Sequence, residues 1–184
     1  IAGLLSPKRP LIQTRPFRNP HHTSSSTSLT GGGRIPHPGE VTLAHRGVLF
    51  LDEMPEFSRR SLEVLRQPLE DKQIQLSRAS GTYVFPAGFI LVGAMNPCPC
   101  GFYPDMNKCR CTSGEVSHYL HRLSQPLLER IDLCADVPSV EFSQISGKGE
   151  GERESSAVIR DRVEKVRKIQ QIRYKKENIC FNGE

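Results

Sequence analysis

The sequence lacks any apolar run approaching the roughly 18 residues that a membrane-spanning helix needs. It also lacks the charged and then apolar leader of a secreted protein, and it contains no internal repeats. From these absences we expect a cytoplasmic protein that does not bind a membrane.

Acidic residues are scarce at the start of the chain, where residues 1–46 contain six Lys or Arg but a single acid, Glu40. The net charge of +5 permits an anionic partner without requiring one. An apolar fraction of 36% and a charged fraction of 24% are typical of a soluble globular protein, and 184 residues suffice for one domain. Because the chain opens on Ile1 rather than Met, we expect a fragment of a longer protein.

The first forty residues contain many prolines, a Ser/Thr run at residues 23–28 and three consecutive glycines at residues 31–33, which predicts turns and a surface loop. "EVTLAHRG" then predicts a short helix that ends at Gly47. "GVLFL" and "GFILVGAMN" are continuous apolar runs and predict two fully buried strands. Between these runs, Leu62, Leu65 and Leu69 recur at helical spacing within a helix over 59–71, and "KQIQLSRASGTYVF" alternates like a hairpin that turns at Ser80-Gly81.

Beyond Asn96 the sequence predicts a loop with several cysteines, a helix over 116–130 and a short third strand, "DLCADVP". "SQISGKGEGE" has the composition of a flexible linker, and a long helix follows with Ile159, Val163, Val166 and Ile169 on one stripe. The order of strands and helices predicts an α/β fold, with a mostly parallel sheet covered by helices.

Polar residues follow the two predicted buried strands. Asp52 and Glu53 come directly after one strand, and Asn96 ends the other. Ligands of parallel sheets bind at the carboxyl ends of the strands, where an aspartate suits Mg²⁺ and a second carboxylate can activate a water molecule. The alternative is that Asp52 and Glu53 only cap the helix that follows.

The cysteines form two CxC pairs, and the alternatives for them remain open. Cys98, Cys100, Cys109 and Cys111 can supply four thiolates to a structural Zn²⁺, but they can equally be reduced thiols or redox disulfides. We expect Cys134 in the core and no partner for Cys180. His21 and His22 are interpreted as loop residues rather than as a metal or porphyrin site.

Several motifs together resemble, in order and spacing, the second half of an AAA+ ATPase of the magnesium-chelatase type. They are "GVLFLDEMPEF", the hairpin, "GFILVGAMNPCPCG" and "LSQPLLERIDL". "RPFRNPHHT", "GGGRIPHPGE" and the CxC pairs are similar to segments of the bacterial ComM/YifB family, and this resemblance covers residues 1 to 177. It implies an AAA+ three-layer parallel sheet core over 1–140 with an inserted β-hairpin, a linker over 141–152 and the start of a helical lid over 153–184.

The resemblance also implies roles for individual residues. Asp52 matches the residue that positions Mg²⁺, and Glu53 matches the carboxylate that polarises the attacking water. Asn96 matches a polar sensor that helps hold this water near the γ-phosphate of ATP. Arg130 matches an arginine finger, which in this superfamily acts on the nucleotide of the neighbouring subunit and so implies a homo-oligomeric ring, usually a hexamer.

One motif of such ATPases is missing. No segment matches G-x-x-x-x-G-K-[ST], and "TGGGR" has neither the Lys-Ser/Thr pair nor a preceding buried strand. The family places this phosphate loop upstream of residue 1 and a second arginine sensor downstream of Glu184. We therefore expect the isolated fragment to bind ATP weakly and to hydrolyse it negligibly.

The hairpin is the further candidate for function, because related ring ATPases project it toward a central pore. Lys72 and Arg78 flank it and could contact a phosphodiester backbone; the alternative is a solvated hairpin with ordinary surface cations. The resemblance favours a helicase that moves single-stranded or branched DNA during recombination in natural transformation. A magnesium chelatase motor that acts on a porphyrin and a zinc-stabilised interaction domain without catalysis are the alternatives.

Overall fold

The structure is a computed structural model that describes residues 14–79, 81–138 and 154–175. The chain divides into two compact units, Ile1–Cys134 and Ala135–Glu184. The predicted division into 1–140, 141–152 and 153–184 stays a prediction. In chain order the elements are β1 (Phe17–Arg18), α1 (Ser26–Thr30), β2 (Gly31–Gly32), β3 (His37–Pro38), α2 (Glu40–Leu43), β4 (Val48–Leu51), a 3-10 helix (Met54–Glu56), α3 (Arg59–Glu63), α4 (Arg66–Asp71), β5 (Gln73–Arg78), β6 (Gly81–Pro86), β7 (Ile90–Gly93), α5 (Ser113–Leu120), α6 (Gln125–Leu128) and α7 (Ser156–Arg173).

The first unit is built on a three-stranded parallel sheet with the strand order β1-β4-β7. Strand β4 is central: Val48 pairs with Phe17 on one side and with Ile90 on the other. The chain can approach so closely at the start of β4 because residue 47 is glycine, where a Cβ would lie 1.9 Å from the carbonyl oxygen of Pro16. The predicted α/β fold with a parallel sheet is confirmed.

One face of this sheet lies in the core and the other is largely exposed. Leu49 and Leu51 are fully buried, whereas Phe50 on the opposite face stacks on Phe17 with ring centroids 6.0 Å apart. On that same face Ile90 is 64% and Val92 40% exposed. The prediction of two fully buried strands is therefore wrong, because burial alternates along each strand as it does on a sheet covered on one side.

The two helices predicted over 59–71 and 116–130 are each divided. Pro68 interrupts the first into α3 and α4, and Pro126 interrupts the second into α5 and α6. A proline has no backbone N–H to donate to the residue four positions earlier, and its ring collides with that carbonyl. The apolar spacing continues through each proline, but the helical hydrogen bonds do not.

The segment predicted to be an irregular loop contains short elements. Ser25 accepts a hydrogen bond from the Ser28 N–H at 3.1 Å and so caps α1, which lies within the Ser/Thr run. Gly31 has φ +92°, and a Cβ there would lie 2.3 Å from the His37 carbonyl oxygen across the β2–β3 pair. Side chains are excluded at this point, so the glycine is required by the close approach of two backbones.

The predicted hairpin is confirmed as β5 and β6. Ile74 pairs with Phe85 and Leu76 with Tyr83, so the apolar side chains of both strands share a face as predicted. Ile74 and Phe85 are buried. Ser80 of the predicted turn lies outside the described residues.

The predicted third strand is wrong, because residues 131–138 have no regular structure. Leu133 is 89% and Val137 87% exposed, so these apolar side chains gain no burial that would favour a strand. Cys134 is exposed rather than in the core, which corrects the interpretation of this cysteine. Cys180 lies outside the described residues.

Helix α7 is the regular element described in the second unit. Ser155 caps it by accepting a hydrogen bond from the Val158 N–H at 3.4 Å, and Asp161 pairs with Lys165 one turn later at 2.7 Å. Its predicted apolar stripe is exposed, with Ile159 at 43% and Ile169 at 57%. In the described part of the chain, no helix combines the length and apolar character needed to span a bilayer.

Candidate active site and metal centre

Asp52 and Glu53 lie at the carboxyl end of the central strand β4, beside the end of β7. The Ala94 N–H donates to the Leu51 carbonyl and the Met54 N–H donates to the Ala94 carbonyl, both at 2.9 Å. These two bonds bracket the acidic pair and hold it against the chain that leaves β7. Both carboxylates are exposed, which suits groups that contact a ligand.

Glu53 has a backbone conformation that is uncommon for a residue with a side chain. Its φ of 49° and ψ of 44° lie in the left-handed region, which costs about 1 to 2 kcal/mol. Hydrogen bonds hold this conformation on both sides: the Glu53 N–H donates to Asp52 Oδ1 at 2.9 Å, and the Glu53 carbonyl accepts from the Glu56 N–H at 2.7 Å. Such strain concentrates at functional sites, where it fixes the direction of a side chain.

His22 contacts Glu53 directly, and the sequence did not indicate this. Its Nδ1 lies 3.0 Å from Glu53 Oε2, and in the tautomer with a proton on Nδ1 the ring N–H donates a hydrogen bond to this carboxylate oxygen. The His22 ring lies against His21 with centroids 4.1 Å apart and the planes tilted by 37°, and it meets the Phe57 ring edge-on at 6.5 Å. Both histidines lie in a loop as predicted, but His22 also orients the carboxylate expected to activate water.

A signal for this contact did exist in the sequence. The histidine pair follows β1, and β1 is the parallel neighbour of the strand that ends at Asp52. The carboxyl ends of neighbouring parallel strands meet at one edge of a sheet, so residues after β1 and after β4 are brought together. The two-residue strand β1 was too short to be recognised by its pattern.

Asn96 lies three residues beyond β7 on the same edge of the sheet, and its side chain is exposed. The loop that follows returns to it, since a Cβ on Gly101 would lie 3.9 Å from Asn96 Cγ. The structure therefore brings Asn96 to the same sheet edge as Asp52 and Glu53.

Arg130 lies elsewhere. Its guanidinium group forms an ion pair with Glu70 and donates to the Pro126 carbonyl. Its side chain is 22% exposed. Arg130 therefore contacts α4 and α6 of its own chain, and its action on a neighbouring subunit stays a prediction.

The four cysteines of the CxC pairs form one compact cluster, with all four sulfur atoms within 4.8 Å of one another. Cys98 Sγ lies 3.3 Å from Cys100 Sγ and 3.8 Å from Cys109 Sγ, and the Cys100 and Cys109 sulfurs are 3.6 Å apart. Tetrahedral Zn²⁺ with Zn–S bonds of 2.3 Å separates its sulfur ligands by about 3.8 Å. Both the donor set and its spacing fit a structural zinc ion.

The thiols of the cluster have divergent acidities. The backbone N–H of Phe102, together with the sulfur of Cys98, lowers the pKa of Cys100 to about 6. The backbone N–H of Cys100 favours the Cys111 thiolate, but contact with the Cys100 sulfur and burial outweigh it and raise the pKa of Cys111 to about 12. One thiolate present at neutral pH is the starting point for metal binding, which then displaces the remaining protons.

The two cations expected to contact DNA lie at opposite ends of the hairpin. Lys72 precedes β5, and its Nζ donates to the Leu69 carbonyl at 2.7 Å, so it caps the end of α4. Arg78 ends β5, and its guanidinium group donates to the Ser77 carbonyl at 2.9 Å and to the Gly33 carbonyl at 3.5 Å. Arg78 thus brings the hairpin tip against the glycine-rich segment, whereas Lys72 lies at the base.

Comparison with known proteins identifies relatives across most of the chain. The family model described as magnesium chelatase, subunit ChlI, matches residues 1–145. The protein YifB of Escherichia coli is 50% identical over 92% of this chain, and the competence protein ComM of Haemophilus influenzae is 48% identical over 92%. An archaeal Lon protease of Methanocaldococcus jannaschii is a more distant relative, 29% identical over 68% of this chain and 19% of its own length. The chain spans about a third of the length of the ComM and YifB relatives, 33% in each case.

Proposed function

Because the chain belongs to the ComM/YifB group of the magnesium-chelatase family, which is of the AAA+ ATPase type, we propose that its full-length protein hydrolyses ATP to remodel DNA. The observation that carries the proposal is the meeting of Asp52, Glu53 and Asn96 at one edge of a parallel sheet. This edge is where such sheets bind their ligands. A relative named for competence points to DNA taken up by the cell as the substrate.

Asp52, Glu53 and Asn96 have different roles in the proposed hydrolysis. The Asp52 carboxylate would hold Mg²⁺, which neutralises phosphate charge when bound. Glu53 orients and polarises the attacking water, with its carboxylate steadied by His22 at 3.0 Å. The Asn96 amide holds that water in place near the γ-phosphate.

Arg130 completes the site of a neighbouring subunit in this proposal. A guanidinium group stays charged at neutral pH and pairs with two phosphate oxygens, so it stabilises charge that develops during phosphoryl transfer. It would leave Glu70 when the ring assembles. A closed hexameric ring supplies one such arginine to every site.

Zinc in the four-cysteine cluster is the second bound metal we propose. The sulfur distances of 3.3 to 3.8 Å support it. Metal analysis of the purified protein tests the assignment. We expect about one equivalent of zinc per chain, and its absence from protein purified under reducing conditions would contradict the proposal.

The test of the ATPase proposal uses the full-length protein and its Glu53→Gln variant. Glutamine keeps the shape of the side chain but accepts no proton, so we expect turnover to fall by at least about 100-fold while ATP still binds. Equal turnover of the two proteins would refute the role of Glu53.

The proposal that the protein binds DNA is tested at Arg78. We expect Arg78→Ala to weaken binding to branched or single-stranded DNA and to make it less dependent on salt, with a slope lower by about 1 for a lost phosphate contact. Lys72→Ala is a matched control of equal charge, and we expect a smaller effect because Lys72 lies at the base of the hairpin.

A magnesium chelatase motor is the second candidate, because the matching family model is that of a chelatase subunit. ATP hydrolysis stimulated by DNA favours the first function. Stimulation by porphyrin-binding subunits, with no salt-sensitive DNA binding, favours the second.

A further inference from the structure

The loop between Asn96 and helix α5 physically joins the cysteine cluster to the proposed site of ATP hydrolysis. Cys98 lies two residues after Asn96, and its side chain is fully buried. Gly101 turns the chain back with φ +81°, and a Cβ at this position would lie 3.9 Å from Asn96 Cγ, so the loop returns close to the Asn96 side chain. Movement of the cysteine loop therefore changes the surroundings of Asn96.

Helix α5 is attached to the same cluster. Val116 of this helix is buried against Cys98 and Cys109. Thr112, the residue directly after Cys111, begins the helix with a capping box: its N–H donates to Glu115 Oε2 at 2.7 Å, and its Oγ1 accepts from the Glu115 N–H at 3.3 Å. The position of α5 thus depends on how the four cysteines are arranged.

Two side chains connect helix α5 to the proposed site of ATP hydrolysis. Arg122, just beyond α5, donates from Nη1 to the Pro55 carbonyl at 3.2 Å and to Glu56 Oε2 at 2.8 Å. Pro55 and Glu56 belong to the 3-10 helix that starts immediately after Glu53. Tyr119 is only 5% exposed. It lines one cavity together with Glu56, Pro99 and Arg122, so this side chain lies close to the 3-10 helix and to the loop that follows Asn96.

We propose that Arg122 and Tyr119 are positioning residues through which the four-cysteine cluster fixes Asn96 and Glu53 for ATP hydrolysis; this inference rests on the proposed ATPase function. With the thiolates held together by a metal ion, the loop and α5 have one arrangement. Without it, the bonds that hold the four sulfur atoms together are absent and the loop relaxes. A displacement of about 1 Å in a catalytic group can cost on the order of 100-fold in rate, so turnover responds more than ATP binding.

The first experiment replaces Arg122 and Tyr119 and leaves the four cysteines unchanged. In the full-length protein, we expect Arg122→Ala to keep its zinc content and its affinity for ATP but to lower kcat by about 10-fold or more. Arg122→Lys should restore part of the loss, because its ammonium group still reaches Glu56. Tyr119→Phe is the second variant, and it should lower kcat without changing zinc content.

Lys108→Ala is the matched control for these variants. Lys108 lies in the same loop and forms an ion pair with Asp105 at 3.7 Å within that loop. We expect its zinc content, ATP affinity and kcat to be those of the wild type. If Arg122→Ala and Tyr119→Phe also keep the wild-type kcat, the inference is wrong.

The second experiment removes the metal from wild type and from Arg122→Ala with a chelator. Zinc content, far-ultraviolet circular dichroism, ATP binding and kcat are measured before removal and after zinc is restored. If Arg122 transmits the state of the cluster, metal removal lowers kcat less in the variant than in wild type, because interacting perturbations are not additive. Fully additive losses would overturn the inference. Equal turnover of wild type and Glu53→Gln would instead overturn the ATPase proposal beneath it.

Discussion

At the scale of single residues, the orientation of Glu53 depends on two features that act together. Its backbone is fixed in the left-handed region, and His22 lies 3.0 Å from one carboxylate oxygen. The Glu53 side chain is 56% exposed, so water can reach it. The candidate base is thus oriented before any nucleotide arrives, which lowers the entropy that hydrolysis would otherwise cost.

Replacement of His22 tests this arrangement. We expect His22→Ala to lower kcat by about 10-fold with little change in ATP affinity, because Glu53 loses its orienting donor. His22→Asn retains a donor and should recover part of the rate. An unchanged kcat in His22→Ala, measured by phosphate release in the full-length protein, would contradict the role of His22.

His45 gives a pH prediction that is independent of catalysis. Its Nδ1 accepts a hydrogen bond from the Gly88 N–H at 3.0 Å, and burial, assisted by Arg46, lowers its pKa below 6.5. The folded chain therefore binds fewer protons than the unfolded chain below that pH, and its free energy of unfolding falls as the pH drops from 6.5 toward the lowered pKa.

The measurement for His45 is the urea midpoint at about pH 7.5 and about pH 5.5. His45→Gln keeps an acceptor but cannot be protonated, so its midpoint should change less between the two pH values than that of wild type. Parallel changes in both proteins would show that His45 does not contribute.

At the scale of secondary-structure elements, local patterns predicted the hairpin and strand β4 well, because alternation and apolar runs are properties of neighbouring residues. They failed where a backbone property interrupts the pattern, as at Pro68 and Pro126. Asp52, Glu53 and Asn96 were predicted as site residues because they follow apolar runs, and their roles stay predictions. The contact of His22 with Glu53 spans 31 residues, and such contacts are fixed by strand order, which local patterns do not contain.

Helix α5 gives the prediction at this scale. We expect Thr112→Ala to lower the free energy of unfolding by about 1 kcal/mol, because the Glu115 N–H loses the hydroxyl oxygen to which it donates. Thr112→Ser keeps the hydroxyl and should cost much less. Chemical denaturation of the zinc-loaded protein measures the difference, and equal stability of the two variants would contradict the cap.

At the scale of the whole molecule, the proposed catalytic groups belong to two different surfaces of one chain. Asp52 and Glu53 lie at the sheet edge, whereas Arg130 is bound to Glu70 of α4. The proposed ring would account for this separation, because in such a ring the arginine of one subunit serves the acids of the next.

Mixing two inactive variants tests the ring. We expect Glu53→Gln and Arg130→Ala each to be inactive alone, but mixed rings should regain turnover at about a quarter of their interfaces, where an intact Glu53 meets an intact Arg130. Glu70→Ala is the control, since it removes the partner of Arg130 but keeps the arginine. No recovery in rings shown to be mixed would contradict action between subunits.

The exposed apolar face of the sheet predicts that the isolated chain self-associates in solution. Phe17 is 63% and Ile90 64% exposed, and Phe50 and Val92 lie on the same side of the sheet. Apolar surface of this kind binds the dye ANS and drives molecules together as concentration or salt rises. We expect this chain, purified by itself, to increase the fluorescence of ANS and to form larger particles on storage. The double variant Ile90→Thr and Val92→Thr should do both less.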